Sequence, residues 1–167
     1  FVGTDVTTLR GSDRKLRQDR DVARKESQTD ELTGISNRRH IMGQLEQLLS
    51  GDTASRVAGG CVCLVDLDHF KRINDRFGHQ VGDDVLVGFA RIVRRVIRVR
   101  DGFGRVGGEE FLLTMPDTSL EEASEIIMRV HRQVRCCRFI RDDPDYQVTF
   151  SAGLTVLLPS DTSQSAY

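Results

Sequence analysis

Runs of apolar residues divide the chain into stretches of strand length and stretches of helical periodicity. The continuous apolar run at residues 61–67 is typical of a central strand that is covered on both faces. Apolar residues spaced three and four apart predict helices in the more polar stretches. The predicted helices cover residues 12–29, 36–49, 69–77, 83–98 and 121–137. The chain therefore alternates strands with helices, as mixed α/β proteins do.

Several helix boundaries are predicted from residues that favour caps and turns. Gly34 is expected to end one helix, and Ser36 is expected to cap the helix that follows it. Residues 78–82 are predicted to form a turn, after which Asp83 caps the long helix. A loop is expected at residues 51–60.

Two short apolar runs, at residues 103–106 and 111–115, flank a pair of adjacent glycines at 107–108. Adjacent glycines favour a tight hairpin turn, because glycine takes positive φ without steric cost. Residues 146–158 are predicted to contain the last strands, broken at Gly153. The order of all these elements predicts an α/β (α+β) fold, with a palm-like or ferredoxin-like antiparallel central sheet flanked by helices.

The N-terminal part of the chain differs from the rest in its high charge. Leu9, Leu16 and Ala23 recur every seven residues, which is the spacing of a short parallel coiled coil. Two heptads are equally typical of a single solvated helix, so both alternatives remain open. We expect the end of an upstream domain at residues 1–10, a signalling helix at 11–29 and the main domain at 30–167.

Composition and charge narrow the possible functions. With 167 residues, 38% hydrophobic and 29% charged, the chain is long enough to bury a core as a soluble globular domain. The net charge of -1 argues against a nucleic-acid partner bound through a basic face. No apolar run approaches the ~20 residues of a membrane span. Because the four cysteines lack the spacing of disulfide frameworks or zinc sites, we expect a reduced, cytoplasmic protein.

Acidic residues follow the predicted central strand and the predicted hairpin turn. Asp66 lies at the carboxyl end of the strand, and Glu109 and Glu110 follow the glycine pair. Taken alone, the Gly-Gly-Glu-Glu turn is more typical of a solvated surface turn than of a site. If the hairpin lies beside the central strand, however, these acids converge at one end of the sheet. Asp66, Glu109 and the Leu67 carbonyl would then offer oxygen ligands to magnesium, which takes one or two carboxylates and leaves other positions to phosphates.

Residues around these acids suit a nucleotide. Lys71 would place a positive charge over the phosphates, and the backbone N–H groups that open the helix at His69 and Phe70 are free to donate to an anion. Gly107 and Gly108 would let the nucleotide approach the main chain. The side chains of Asn74 and Asp83 could pair with a guanine edge. Together these groups predict a two-metal type of phosphoryl-transfer site.

Five motifs in order resemble those of the GGDEF-domain diguanylate cyclases, over residues 30–158. They are Asp30-x-Leu-Thr-Gly, Asn37-Arg-Arg, Asp66-x-Asp-x-Phe-Lys-x-Ile-Asn-Asp, Gly78-His-x-x-Gly-Asp and Arg105-x-Gly-Gly-Glu-Glu-Phe. The resemblance implies synthesis of cyclic di-GMP from two GTP, with two Mg²⁺ (or Mn²⁺) ions per active site. It also implies a homodimer, formed through the signalling helix and through two domains that face each other.

The resemblance assigns a role to each matching position. Glu110 would help to deprotonate the attacking hydroxyl, and Lys71 would stabilise the phosphates. The implied metal ligands are Asp66, the Leu67 carbonyl and Glu109, and the implied nucleotide contacts are Phe70, Asn74, His79, Asp83, Gly107 and Gly108. Arg98-Val-Arg-Asp101 matches a motif that binds the product as an allosteric inhibitor.

The resemblance also implies a larger architecture, in which residues 1–10 end a PAS-like sensor domain. Attachment to the inner membrane would need segments outside this chain. Family members usually continue with an alanine-rich helix that carries a lysine and an arginine, and no such segment follows Pro159 here. The alternative functions are a catalytically silent receptor for cyclic di-GMP and a palm-like enzyme for another nucleotide. Asn74 and Asp83 argue against the latter.

Overall fold

The computed structural model describes residues 28–50 and 60–157, and these form four helices and four strands. The predicted end of an upstream domain at residues 1–10 lies outside the described residues, as does the segment after residue 157. Nearly all of the predicted helix at 12–29 and of the predicted loop at 51–60 also lies outside them. The elements in order are α1 (Arg38–Ser50), β1 (Gly60–Leu67), α2 (Phe70–Phe77), α3 (His79–Val96), β2 (Gly102–Arg105), β3 (Glu110–Pro116), α4 (Leu120–Cys136) and β4 (Phe150–Leu157).

The four strands form one sheet in the order β2-β3-β1-β4, and all neighbouring strands are antiparallel. This confirms the predicted antiparallel sheet with flanking helices. The first strand pairs with β3 on one side and with β4 on the other, which explains why its sequence is almost continuously apolar.

The sheet buries a large apolar core on one face and a smaller one on the other. Cys61, Cys63 and Val65 of β1 point toward the core that α3 and α4 share with the sheet. Phe89 of α3 lies at the centre of this core, with its ring 5.0 Å from that of Phe111 and 5.4 Å from that of Phe150. Helix α1 covers the opposite face through a second cluster of Ile41, Leu45, Leu49, Val62, Leu112 and Leu157.

The described cysteines are free thiols, as expected. Burial, and then the neighbouring Cys61, raise the pKa of Cys63 to about 12, so this thiol stays protonated and behaves as a small apolar side chain. No helix in the described part of the chain is long and apolar enough to cross a bilayer.

The prediction that Asp83 caps the long helix after a turn at 78–82 is wrong. Helix α3 begins at His79, directly after Gly78, so Asp83 lies inside its first turns. Gly78 has φ of 86° and alone redirects the chain between α2 and α3. Because glycine is unhindered at positive φ, a single residue replaces the expected turn.

Three other local predictions are also wrong. Helix α1 is capped by Asn37, whose Oδ1 accepts from the His40 amide at 3.0 Å, while Ser36 forms bridges with Thr29 and Gly104. Gly153 does not break the last strand but pairs with Leu64 within β4. Gly107 and Gly108 do not adopt the expected positive φ. Within residues 28–50 and 60–157, the glycines with positive φ are Gly34 and Gly78.

Candidate functional site

The strand register places the acidic residues at one end of the sheet. Asp66, near the end of β1, lies directly opposite Glu110, the first residue of β3. The Leu67 amide donates to the carbonyl of Glu109 at 3.3 Å, which extends this pairing by one step. The two acid-bearing segments therefore meet, as the sequence predicts, although the acid that faces Asp66 is Glu110 rather than Glu109.

The carboxyl groups at this end of the sheet repel each other. Partial burial raises the pKa of Asp66, and the negative charges of Glu110 and Asp68 raise it further. Asp66 and Glu110 are both exposed, and Glu109 is half-buried. When two strands hold like charges close together at the open end of a sheet, a cation bound between the charges stabilises them.

The donor set fits a hard divalent cation that is bound together with phosphates. Within residues 28–50 and 60–157, no three His, Cys, Asp or Glu side chains are placed to hold a metal by themselves. The chain instead offers the carboxylates of Asp66 and Glu109 or Glu110, with the Leu67 carbonyl beside them. Magnesium binds nucleotide phosphates through such a partial set, in which substrate oxygens complete the coordination.

The turn between β2 and β3 is held by an arginine. The Arg105 guanidinium donates to the carbonyl of Gly107 at 3.2 Å and to that of Gly108 at 2.7 Å. Arg105 also forms an ion pair with Asp30, with 3.3 Å between the nearest nitrogen and oxygen. Burial raises the pKa of Asp30, but hydrogen bonds from Thr33 and the charge of Arg105 outweigh burial, and the pKa lies below its ordinary value. The turn is thus tied to the segment that precedes α1.

The two glycines of this turn have different surroundings. A side chain at position 107 would collide with the carboxylate of Glu110, so Gly107 leaves room for that acid. A side chain at position 108 would meet nothing within 4 Å. Gly108 is exposed, and its backbone is open to an approaching ligand.

The corner between α2 and α3 brings the predicted guanine contacts together. Gly82 is buried, and a Cβ atom at this position would collide with Oδ1 of Asn74 and lie 3.3 Å from the ring of Phe70. Asp83 follows directly, half-buried, and His79 lies exposed at the start of α3. Gly82 thus leaves room for the Asn74 amide, a role that its place in the Gly-His-x-x-Gly-Asp motif did not reveal.

The start of α2 presents backbone donors. His69, which precedes the helix, has φ of 56° and no side-chain cap for the helix amides. The first amides of an uncapped helix are free to bind an anion. Lys71 lies exposed in the same first turn. This is the arrangement that the sequence predicts for phosphate oxygens.

Arg98 and Asp101 form a tight turn after α3. The Asp101 carboxylate accepts from the Arg98 amide at 2.7 Å, and the Asp101 amide donates to the Arg98 carbonyl at 3.1 Å. Asp101 is 3% exposed, and its second oxygen has no partner among the described residues. Arg98 faces solvent. In this conformation Asp101 supports the turn, and Arg98 is the member of the pair that a ligand can reach.

A basic cleft beside this turn was not predicted from the sequence. Arg95 of α3 and Arg129 and Arg132 of α4 line a cleft of about 440 Å³ between the two helices. All three arginines are exposed. Helical spacing alone places them on solvated faces, and only the packing of α3 against α4 shows that they converge.

Comparisons with known proteins agree with this geometry. The family model "Diguanylate cyclase, GGDEF domain" matches residues 27–167. The chain is 36% identical over 147 residues to diguanylate cyclase DgcP of Pseudomonas aeruginosa, covering 86% of this chain and 21% of the relative. It is 41% identical over 138 residues to the response regulator PleD of Caulobacter vibrioides, covering 80% and 29%. The chain thus spans less than a third of these relatives' length.

A solved structure shares the fold. The GGDEF domain of DgcB from Caulobacter crescentus, in complex with c-di-GMP, superimposes with a TM-score of 0.74 at 27% sequence identity. The match covers 83% of this chain and 82% of that one. The helix-flanked antiparallel sheet is therefore the architecture of that domain.

Proposed function

Since this chain belongs to the family of GGDEF-domain diguanylate cyclases, we propose that it condenses two molecules of GTP into cyclic di-GMP and releases two pyrophosphates. The observation that carries the proposal is the register of β1 and β3, which sets Asp66 opposite Glu110 beside an open, arginine-held turn. The cyclic product is a bacterial second messenger. The chain would act as the output domain of a longer signalling protein.

Asp66, Glu109 and the Leu67 carbonyl are proposed to hold divalent cations, Mg²⁺ or Mn²⁺, with two ions in each site. When bound there, such cations would neutralise charge on the phosphates and would lower the pKa of the attacking hydroxyl. Burial is the largest cause of the raised pKa of Asp66, and the charges of Glu110 and Asp68, which a bound cation would neutralise, add to it.

Glu110 is proposed as the group that accepts the proton of the attacking 3′-hydroxyl. The 3′-oxygen of one GTP forms a bond to the α-phosphorus of the other, and the bond from that phosphorus to the pyrophosphate oxygen breaks. Glu110 is exposed at the open end of the sheet, where a hydroxyl from a facing domain can reach it. Lys71 would stabilise the negative charge on the phosphates as a point charge.

The nucleotide is proposed to lie with its guanine at the α2–α3 corner and its phosphates at the start of α2. Asn74 and Asp83 would bind the guanine edge, and His79 would contact the ribose. The backbone donors at His69 and Phe70 would receive phosphate oxygens. Gly108 supports this placement because its surroundings are open.

One domain binds one nucleotide, so the reaction requires two domains that face each other as a homodimer. The predicted signalling helix at residues 11–29 is proposed to hold the two domains together. Product is proposed to inhibit the enzyme at the Arg98–Asp101 turn, where Arg98 would contact the ligand and Asp101 would fix the turn. The DgcB domain crystallised with c-di-GMP supports binding of the product by this fold.

The test is to incubate the purified chain, as a verified dimer, with GTP and Mg²⁺ and to measure cyclic di-GMP by chromatography and mass spectrometry. We expect product from the wild type and none from Glu109→Ala, with Glu125→Ala on the exposed face of α4 as the matched control. Absence of product from the folded wild-type dimer would refute the proposal. Cyclic di-GMP binding that is lost in Arg98→Ala would in that case indicate the alternative, a catalytically silent receptor.

A further inference from the structure

The second aspartate of the Asp66-Leu67-Asp68 segment does not join the acidic site. Its two carboxylate oxygens accept hydrogen bonds from Ser151 Oγ and from Thr149 Oγ1, both at 2.7 Å. Its backbone amide donates to the Thr149 carbonyl at 2.9 Å. Asp68 therefore connects the turn between β1 and α2 to the start of β4 through three hydrogen bonds, and two of them involve a charged acceptor, which strengthens them.

The two hydroxyl donors come from a part of the chain that is itself anchored. Phe150 lies between them, is 3% exposed, and packs its ring against Phe89 of the main core. The ring of His131 stacks on the ring of Phe150, with 3.8 Å between centroids and 11° between planes. Because the chain alternates here, anchoring Phe150 on one side presents Thr149 and Ser151 on the opposite side.

The turn that Asp68 holds carries several of the proposed substrate contacts. Asp66 and the Leu67 carbonyl precede it, and the free amides of α2 follow it. His69, the next residue, has φ of 56°, a conformation that is uncommon for residues other than glycine. The hydrogen bonds of Asp68 are tertiary contacts immediately before that residue, and the buried side chain of Phe70 packs in the core immediately after it.

We propose that Asp68 is a positioning residue of the nucleotide site. It ties the β1–α2 turn to β4 and thereby sets the Leu67 carbonyl and the first amides of α2 where the phosphates of GTP bind. Asp68 would not ligate the cation, because both of its oxygens already accept hydrogen bonds from hydroxyl groups. The expected change in KM rests on the proposed function. The expected loosening of the β1–α2 turn does not, and it can be measured without substrate.

Asp68→Ala and the double variant Thr149→Val/Ser151→Ala remove the same contacts from opposite sides. Asp68→Asn retains them, because its amide oxygen accepts from one hydroxyl and its amide nitrogen donates to the other. Thr155→Val, at an exposed position farther along β4, is the matched control. Both contact-removing variants should raise the KM for Mg-GTP about tenfold and change kcat less than about threefold, because ground-state phosphate contacts are lost. Asp68→Asn and Thr155→Val should stay near the wild type.

Amide hydrogen exchange, measured by NMR without GTP or metal, gives the independent readout. The Asp68 and Arg72 amides donate to the carbonyls of Thr149 and His69, so their exchange reports on the turn. We expect exchange about tenfold faster at both positions in the two contact-removing variants, with the Leu113 amide in the core unchanged. This expectation holds even if the wild type makes no cyclic di-GMP, which separates the inference from the proposed function.

Two results would overturn the inference. One is unchanged exchange at Asp68 and Arg72 in Asp68→Ala. The other is a pair of kinetic results, in which Asp68→Asn is as defective as Asp68→Ala while Thr149→Val/Ser151→Ala is fully active. The carboxylate charge of Asp68 would then act directly on the substrate or the metal. Combining all three substitutions should add nothing to Asp68→Ala, because contacts that act as one unit are not additive.

Discussion

At the scale of single residues, the proposed site holds carboxylates of like charge close together although they repel each other. The pKa of Asp66 lies above its ordinary value, because of burial and then of Glu110 and Asp68, so the ionisation of Asp66 opposes folding. This unfavourable contribution develops as the pH rises above the unfolded pKa and is complete above the raised folded pKa. As the pH falls and Asp66 is protonated, this unfavourable contribution disappears. The cation proposed for the site would stabilise the same ionised carboxylates.

The first prediction removes that repulsion. Glu110→Gln should raise the melting temperature of the metal-free protein by about 1–3 °C at neutral pH, a surface charge-pair effect on a domain of this size. The gain should shrink as the pH is lowered and Asp66 becomes protonated. Thermal melts across the acidic range measure this, with Glu125→Gln on α4 as the control. An equal gain at every pH would show that Glu110 does not act through the charge of Asp66.

The second prediction concerns the glycine beneath Asn74. Gly82→Ala should rotate the Asn74 amide away and raise the KM for GTP about tenfold, because a lost base contact costs roughly one hydrogen bond. Gly43, inside α1, is the matched control, because a Cβ atom at that position would meet nothing within 4 Å. Gly43→Ala should stabilise the protein by up to about 1 kcal/mol, with KM unchanged. Steady-state kinetics of both variants compare the two effects, and an unchanged KM in Gly82→Ala would contradict the role given to Gly82.

At the scale of elements, the segment before α1 and the hairpin turn behave as one unit. Arg105 of β2 reaches both the turn carbonyls and Asp30, while its amide donates to the Ser36 carbonyl at 2.9 Å. The guanidinium fork makes several hydrogen bonds at once, which lysine cannot reproduce. A shift in the segment that precedes α1 would therefore act directly on the turn that bears Glu109.

The third prediction tests this link through its pH dependence. The pKa of Asp30 is lowered in the folded state, so its contribution to stability is present above the unfolded pKa and is lost as the pH falls through the folded pKa. Asp30→Asn should cost about 1 kcal/mol at neutral pH, as a partly buried charged hydrogen bond does, and less in acid. Denaturant unfolding measures both values. Asp143→Asn, which breaks the more exposed Arg76 pair, should cost less, and an equal or larger cost there would contradict the argument.

The sequence predicted elements better than their boundaries. The apolar run at 61–67 and the periodicity of the helices reflect which side chains are buried, and the sequence shows this directly. The side chains do not show that Gly78 alone separates α2 from α3, because Asp83 would be an equally good cap for a helix α3 that begins later. The backbone conformation at Gly78 decides where α3 begins. The same limit applies to Gly153, where strand pairing on one side overrides the intrinsic preference of glycine.

The candidate site shows the same division. The meeting of Asp66 with the Gly-Gly-Glu-Glu turn follows from strand order, so the sequence predicted it. Glu110 faces Asp66 only in the observed register of β1 and β3, and a shift of that register by one residue would move the side chains to the opposite face of the sheet. The hydrogen bond between Asp68 and Thr149 depends on how β4 packs beside β1. Such details come from tertiary packing, and no local pattern encodes them.

At the scale of the whole molecule, the proposed reaction needs two copies of the site. The end of the sheet that carries Asp66 and Glu110 is open, and one domain presents one set of guanine contacts at the α2–α3 corner. Two bonds form in making the cyclic product, and each joins a 3′-oxygen held by one domain to a phosphorus held by the other. Both members of a dimer must therefore be competent.

The last prediction follows from that requirement. Mixing wild type with an equal amount of Glu109→Ala, under conditions that allow exchange of subunits, should lower the activity of the same amount of wild type to about half, because random pairing places half of the wild-type chains in mixed dimers. Glu125→Ala added in the same way should not lower it. Initial rates of cyclic di-GMP formation before and after exchange make the comparison. Activity unaffected by the inactive partner would mean that a single domain completes the reaction, and the facing-domain arrangement would then be wrong.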